Sequence, residues 1–327
     1  MASERAVGVC GGEADEGKQE AVTRYYLRLF QYGRGVLSTI DHGLVEHVED
    51  CIEKLGPRSG KESVDVWLES LGGDAHAAYK LVLVLRERFS SIRVVVPYCA
   101  KSAATLLALG GERIFLAPSA ELGPIDAQVQ HPEKERERLS ALDIARSLES
   151  LSDTAVNIVI TGGGQLFAIT EIERTESVEA MLRYAADFMA PIVAKLDPSL
   201  IHRATRQLDT GRDYACRLLA WHLLHGQSFV QLDRAQQEDV RSVAARFVED
   251  YPAHEFVIAL DELEAFGLNV SPISEYEYAG LVVREAKKIR RQRGVAVDLL
   301  TTEDIHKMEN PNESASQVQE TEKGNGG

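Results

Sequence analysis

Little in this chain points to a disulfide-bonded, membrane-spanning or nucleic-acid-binding protein. Its 327 residues include only four cysteines, Cys10, Cys51, Cys99 and Cys216, scattered without paired or metal-type spacing. That pattern fits reduced thiols in a cytoplasmic protein better than a disulfide framework. There is no basic surplus. The net charge of −15 argues against a nucleic-acid backbone as partner, while leaving room for a local basic groove. No apolar run approaches the roughly 20 residues of a membrane span. The acidic, glycine-containing stretch from Met1 to Lys18 lacks the charged-then-apolar order of a signal peptide. No Gly-x-Gly-x-x-Gly follows a strand-like segment, so nothing suggests a nicotinamide, and no cofactor is expected. His42, His47, His76, His202, His222, His225 and His306 show no metal-ligand spacing, and the pair His222 and His225 has no third ligand.

What is present is enough apolar sequence, 44% of residues, for a full core. The pattern alternates from residue 36. Val36–Ile40 reads as a strand and His42–Leu55 as a helix with Leu44, Val45, Val48, Cys51, Ile52 and Leu55 on one stripe. A strand over Val64–Leu68 leads into the Gly72-Gly73 turn, and an amphipathic helix follows over Ala75–Phe89. A strand over Val94–Val96, an apolar helix over Ser102–Leu109 and a strand over Arg113–Leu116 complete the pattern. Alternating strands and helices predict an α/β fold with a parallel sheet. His131–Leu151 reads as a helix with a charged, exposed start, and Thr161–Gln165, with its three glycines, as a loop. Residues 176–250 read as helical, with breaks near Pro191 and Pro198. A short strand over Phe256–Ile258, a helix over Asp261–Phe266 ending at Gly267 and a basic helix over Val282–Arg293 follow. A run of that kind is by default a solvated face, with an acidic partner as the alternative. Residues 1–20 and 309–327 read as flexible, polar tails.

Chemistry concentrates at Ser102. It follows the β-branched run Val94–Val96 and precedes the small-residue segment Ala103-Ala104-Thr105. A serine at a strand-to-helix junction lies near unsatisfied helix amides. The glycines 72 and 73, after a neighbouring strand, let backbone amides approach a substrate carbonyl. A hydroxyl to attack and amides to hold an oxyanion are the requirements of acyl transfer. Against this, small residues at 102–105 also let a helix pack closely on a sheet without any chemistry.

Three segments carry a resemblance: Leu68-Glu-Ser-Leu-Gly-Gly-Asp74, Val96-Pro-Tyr-Cys-Ala-Lys-Ser102-Ala-Ala-Thr105 and Ala120-Glu-Leu-Gly-Pro-Ile-Asp-Ala-Gln128. A fourth, Tyr251–Ile258 followed by Asp261–Leu268, agrees. Together they resemble the serine dehydrogenase proteinase family, which is similar to signal peptide peptidase A and to the Clp protease proteolytic subunit. The resemblance implies a ClpP/crotonase-like fold of repeated β-β-α units, here with a helical C-terminal half. It implies a peptidase domain over 21–275 that includes the helical stretch 176–250, with a basic C-terminal helix in 276–308. It also implies a serine peptidase acting on peptides or proteins, with Ser102 as nucleophile, an oxyanion hole from Gly72, Gly73 and Ala103, and assembly into homo-oligomers.

The general base is open. Where Clp-type relatives carry a histidine, this chain has Ile125-Asp126, and Arg146 stands where a lysine would be expected. Arginine does not deprotonate usefully in a protein. The candidates are His131, whose ordinary pKa suits the role, Lys134, which would need desolvation, and His254, which could equally be structural at a strand entry. A surface role competes for His131 and Lys134. Lys101 adjoins Ser102 and would point away from it. Asp126 could orient a base or serve a turn, and Cys99 reads as an inert core thiol. Two alternatives follow: a catalytically silent peptide- or partner-binding protein of the same fold, and, more weakly, an acyl-CoA enzyme, for which no nucleotide pocket is recognisable.

Overall fold

The computed structural model describes residues 23–58, 60–130, 138–169, 174–224, 226–251, 253 and 255–310. His131, Lys134 and His254 lie outside them, as do the tail read over 1–20 and residues 311–327 of the tail read over 309–327; Glu309, the first residue of that reading, instead ends a helix over Thr302–Glu309.

The strands are β1 (Thr23–Gln31), β2 (Glu62–Ser70), β3 (Ser91–Val96), β4 (Cys99–Ala100), β5 (Arg113–Leu116), β6 (Glu121–Leu122), β7 (Gln128–Gln130), β8 (Arg138–Ser140), β9 (Val270–Pro272) and β10 (Val295–Thr301). The helices are α1 (His42–Glu53), α2 (Ala75–Arg88), α3 (Ala103–Leu109), α4 (Ala141–Asn157), α5 (Gly163–Ile169), α6 (Arg174–Val193), α7 (Pro198–Leu223), α8 (Arg234–Glu249), α9 (Leu260–Ala265), α10 (Ala279–Gln292) and α11 (Thr302–Glu309). The main sheet runs in the order β10-β1-β2-β3-β5-β9. All its pairings are parallel except that of β10 with β1. A short branch leaves it, where β4 pairs with β2 at Ser70 and Ala100 and then with β6. The α/β reading with a parallel, ClpP-like sheet therefore holds.

The central strand explains much of the packing. All nine residues of β2 are buried, as expected of a parallel strand covered on both faces. Val64, Val66, Trp67 and Leu68 belong to the core. Three carboxylates of β2 are buried as well, and each meets an arginine. Glu62 is held by Arg88. Asp65 accepts two bonds from Arg93, at 2.7 and 2.5 Å. Glu69 Oε1 lies 3.2 Å from Arg290 Nη1. Buried charges persist in a core only when paired in this way. Asp65 also accepts from the Tyr276 hydroxyl at 2.9 Å, and that hydroxyl accepts from Trp67 Nε1 at 2.9 Å.

Several sequence expectations are corrected. Val36–Ile40 is not a strand: Val36 is 88% exposed, Leu37 has φ 59°, and Ile40 alone makes a bridge, to Gly73. The edge of the parallel sheet is instead β1, in a stretch that the sequence reading left unassigned. Thr161–Gln165 is not a loop. A π-turn over Ile158–Gly162 runs directly into α5. A side chain at Gly162 would lie 2.9 Å from Met181 Sδ, so this glycine serves close packing of α6. The helix read over 131–151 begins only at Ala141, capped by the Ser140 hydroxyl, because 138–140 pair with β7. Of Phe256–Ile258, Ile258 alone pairs, with Leu122. Residues 276–308 hold the basic helix α10 and, beyond it, a strand that joins the main sheet through β1.

Candidate active site

Ser102 sits where β4 passes into α3, half-buried, with φ 52° and ψ −117°. A non-glycine residue in this region carries strain of about 1–3 kcal/mol and needs surroundings that enforce it. The enforcement is visible on both sides. Before the serine, Lys101 N donates to Ser70 O at 3.0 Å and Gly123 N donates to Ala100 O at 2.9 Å. After it, Thr105 Oγ1 lies 2.9 Å from Ala100 O and 2.7 Å from Gly123 O. The Lys101 side chain runs away from the serine to Glu121, 2.6 Å off, and donates to Phe256 O at 3.0 Å. It is an anchor of this turn and makes no bond to Ser102.

The glycine pair divides its tasks. Gly72 has φ 100°, and a side chain there would lie 2.5 Å from Lys101 O and 3.0 Å from Ala103 N. Its absent side chain is what lets the serine turn close against the end of β2. Its own N–H is occupied, donating to Ser70 Oγ at 3.0 Å. Ser70 in turn donates to Gln31 Oε1 at 2.6 Å. Gly73, with φ 155°, is fixed by bonds on either side, Ile40 N to Gly72 O at 3.0 Å and Asp74 N to Ile40 O at 2.7 Å. The N–H groups of Gly73 and Ala103 have no acceptor among the described residues. The expected amide trio thus narrows to these two as free donors.

Ser102 opens onto a cleft of about 400 Å³. One wall is Ile40, Asp41 and Gly73–His76; another is Ile125–Gln128; a third comes from Gln207, Thr210 and Gly211 of α7. Asp41 and Asp74 cap α1 and α2, accepting from Leu44 N at 2.9 Å and Ala77 N at 2.8 Å. Asp126 is buried and accepts from the Ser140 hydroxyl at 3.3 Å. The Ser102 hydroxyl itself points to the Asp126 carbonyl oxygen, 3.4 Å away.

No described basic side chain bonds Ser102. Arg146 donates to Glu249 O at 2.8 Å, outside the cleft lining. Among the described residues His76 is the one imidazole in the cleft wall. Its Nδ1 lies 2.8 Å from the Tyr214 hydroxyl, and Tyr214 stacks on Tyr79 with ring centres 4.3 Å apart. The sequence reading grouped His76 with histidines lacking metal spacing. Its place in the first turn of the helix launched by the glycine pair was the signal for its position. Cys99 is no competing nucleophile, since burial, with Glu69 adding to it, pushes its thiol up to about 11. His222 is structural. Its Nδ1 lies 2.6 Å from Gly111 O, and its Nε2 accepts from Asn269 N at 2.8 Å. No group of three or more metal-ligating side chains occurs among the described residues. No described helix is long and apolar enough to cross a membrane.

A parallel sheet with a short side branch, and a serine held in a strained turn beside a glycine pair at the branch point, define a ClpP-like α/β protein. Residues 38–173 match the model of the ClpP-like SDH-type serine proteinases, which supports the family that the sequence motifs resemble. The chain is also similar to two uncharacterized proteins of Methanocaldococcus jannaschii. One is 30% identical over 89 residues, 27% of this chain and 31% of the relative. The other is 28% identical over 89 residues, 27% of this chain and 30% of the relative. The match thus spans less than a third of these curated relatives.

Proposed function

We propose that the chain is a serine peptidase that hydrolyses peptide bonds through an acyl-enzyme on Ser102. The observation that carries this reading is the strained Ser102 turn facing a cleft into which two amides, those of Gly73 and Ala103, can donate, neither having an acceptor among the described residues. In the reaction, Ser102 Oγ attacks the peptide carbonyl carbon and its proton passes to a base. The oxyanion accepts bonds from the two amides. The C–N bond then breaks, the amine leaves with a proton returned by that base, and water hydrolyses the ester. His131, Lys134 and His254 are candidate bases from the sequence, and His76 is the candidate that the cleft wall presents. The test is fluorophosphonate labelling with mass-spectrometric mapping. Labelling confined to Ser102 and absent from Ser102→Ala is the expected result. No labelling of the folded chain, beside a related enzyme that labels, overturns it.

A second reading, a catalytically silent peptide-binding member, has one observation in its favour. Ser102 donates to a backbone carbonyl and to no base among the described residues. The same labelling experiment separates the two. Self-association belongs to the proposal as well. Its support is the exposed apolar stripe of α6, with Leu182, Tyr184, Phe188, Ile192 and Val193 between 39% and 55% exposed, and sedimentation velocity tests it. The reading of a cytoplasmic protein rests on Cys51, Cys99 and Cys216, which are free thiols.

A further inference from the structure

The Ser102 cleft does not end at Thr210. A second cavity of about 490 Å³ adjoins it and shares His76, Gln207 and Thr210 with it. The two are joined along continuous walls. Ile125–Gln128 line the cleft, and Val129 and Gln130 line the second cavity. Opposite them, α7 contributes Gly211, Thr210 and Gln207 to the cleft and then Arg206 and Arg203 to the second cavity. Those positions are one face of a helix at i, i+3, i+4, i+7 and i+8. At 1.5 Å per residue, Arg203 and Arg206 lie about 8–12 Å along α7 from Gly211, the reach of about two to four residues of extended peptide.

The charges of the two cavities are opposite. Asp41, Asp74 and Asp126 line the cleft, and among the described residues no carboxylate lines the second cavity. Arg203 and Arg206 are exposed and have no ion pair among the described residues. The same helix supplies carboxylates to its other arginines, Asp213 to Arg217 at 2.7 Å and Asp209 to Arg212 at 2.9 Å. In a chain with 51 acidic and 36 basic residues, two like charges one turn apart with no counter-ion among the described residues cost stability. We infer that this groove is a substrate subsite that binds a carboxylate of the peptide, about two to four residues from the bond held at Ser102. This rests on the peptidase reading for its substrate, and its test does not require hydrolysis.

The test is fluorescence anisotropy of labelled ten-residue peptides on the full-length Ser102→Ala chain. Matched peptides carry Glu or Gln in the chain with an amidated end, or Gln with a free carboxylate end. A carboxylate peptide is expected to bind about twofold to fivefold more tightly than its amide match, within the range for an exposed ion pair. The advantage shrinks with added salt and vanishes in the Arg203→Gln/Arg206→Gln double variant. Preference for the in-chain Glu alone assigns a side chain as ligand, and preference for the free end alone assigns a chain terminus. Equal binding of all peptides, an advantage that survives the double variant, or no peptide binding overturns the subsite. Fluorophosphonate labelling of the unaltered chain, read separately, shows whether the peptidase reading fails with it.

Discussion

The side chain that Gly72 lacks would lie 3.1 Å from Cβ of Ser102. The glycine at the end of β2 and the serine at the end of β4 are thus fitted to each other. Gly72→Ala is expected to open this turn, since the new methyl would also stand 2.5 Å from Lys101 O, and backbone on that side cannot yield cheaply. A loss of more than about 2 kcal/mol in denaturant unfolding is expected, from overpacking plus a φ of 100° that alanine avoids. Unchanged stability would mean that the two turns can separate freely.

Ser102 itself should show a trade of stability against reactivity. Ser102→Gly removes the side-chain penalty at φ 52° and is expected to raise stability by about 1 kcal/mol, while abolishing fluorophosphonate labelling. Ser102→Ala abolishes labelling without the gain, because alanine keeps the strain. Thermal unfolding of the two variants beside the unaltered chain checks this. Equal melting temperatures for both would remove strain as the explanation.

Glu69 predicts a pH dependence. Burial raises its carboxyl from 4.5 to about 7, against the pull of Arg290. The folded state therefore holds a proton between about pH 4.5 and 7 that the unfolded chain has released. Its contribution is full below pH 4.5 and is lost as pH rises through 7. Glu69→Gln keeps a neutral group throughout. Relative to the unaltered chain, the variant should gain about 2–3 kcal/mol between pH 5 and pH 8, read by urea unfolding at both pH values. A difference that stays flat with pH would show Glu69 to be ionised in the fold.

Tyr276 links Asp65 to Trp67 in the core. Burial and the Asp65 carboxylate keep its phenol protonated far above the ordinary range. Tyr276→Phe leaves the indole N–H without its acceptor and removes one donor from Asp65. A cost of about 1–3 kcal/mol in chemical unfolding is expected, the usual penalty for an orphaned buried polar group. A neutral substitution would show that the network is dispensable.

The acidic positions of β2 also mark a limit of sequence reading. The apolar run Val64–Leu68 announced a buried strand, yet the strand extends to Glu62 and Ser70. Near those ends, Arg88 of α2 meets Glu62 and Arg290 of α10 meets Glu69, and partners distant in sequence leave no local periodic trace. The same holds for β10. Its pairing with β1 joins residues about 270 positions apart, while the basic helix before it was legible from its own composition.

What the sequence determined by itself is whatever rests on local chemistry. The α/β alternation, the helices read over 42–55, 75–89 and 102–109, and the glycine pair set before a serine all follow from side-chain spacing and backbone freedom. Only the tertiary structure decided what depends on opposed surfaces. It set the Gly72 amide on Ser70 and left those of Gly73 and Ala103 without an acceptor among the described residues. It turned Lys101 toward Glu121, set His76 in the wall of the Ser102 cleft, and continued that cleft along α7 to Arg203 and Arg206, which have no ion pair among the described residues. Each of these is a relation between segments brought together by packing, and packing is satisfied across the whole molecule at once.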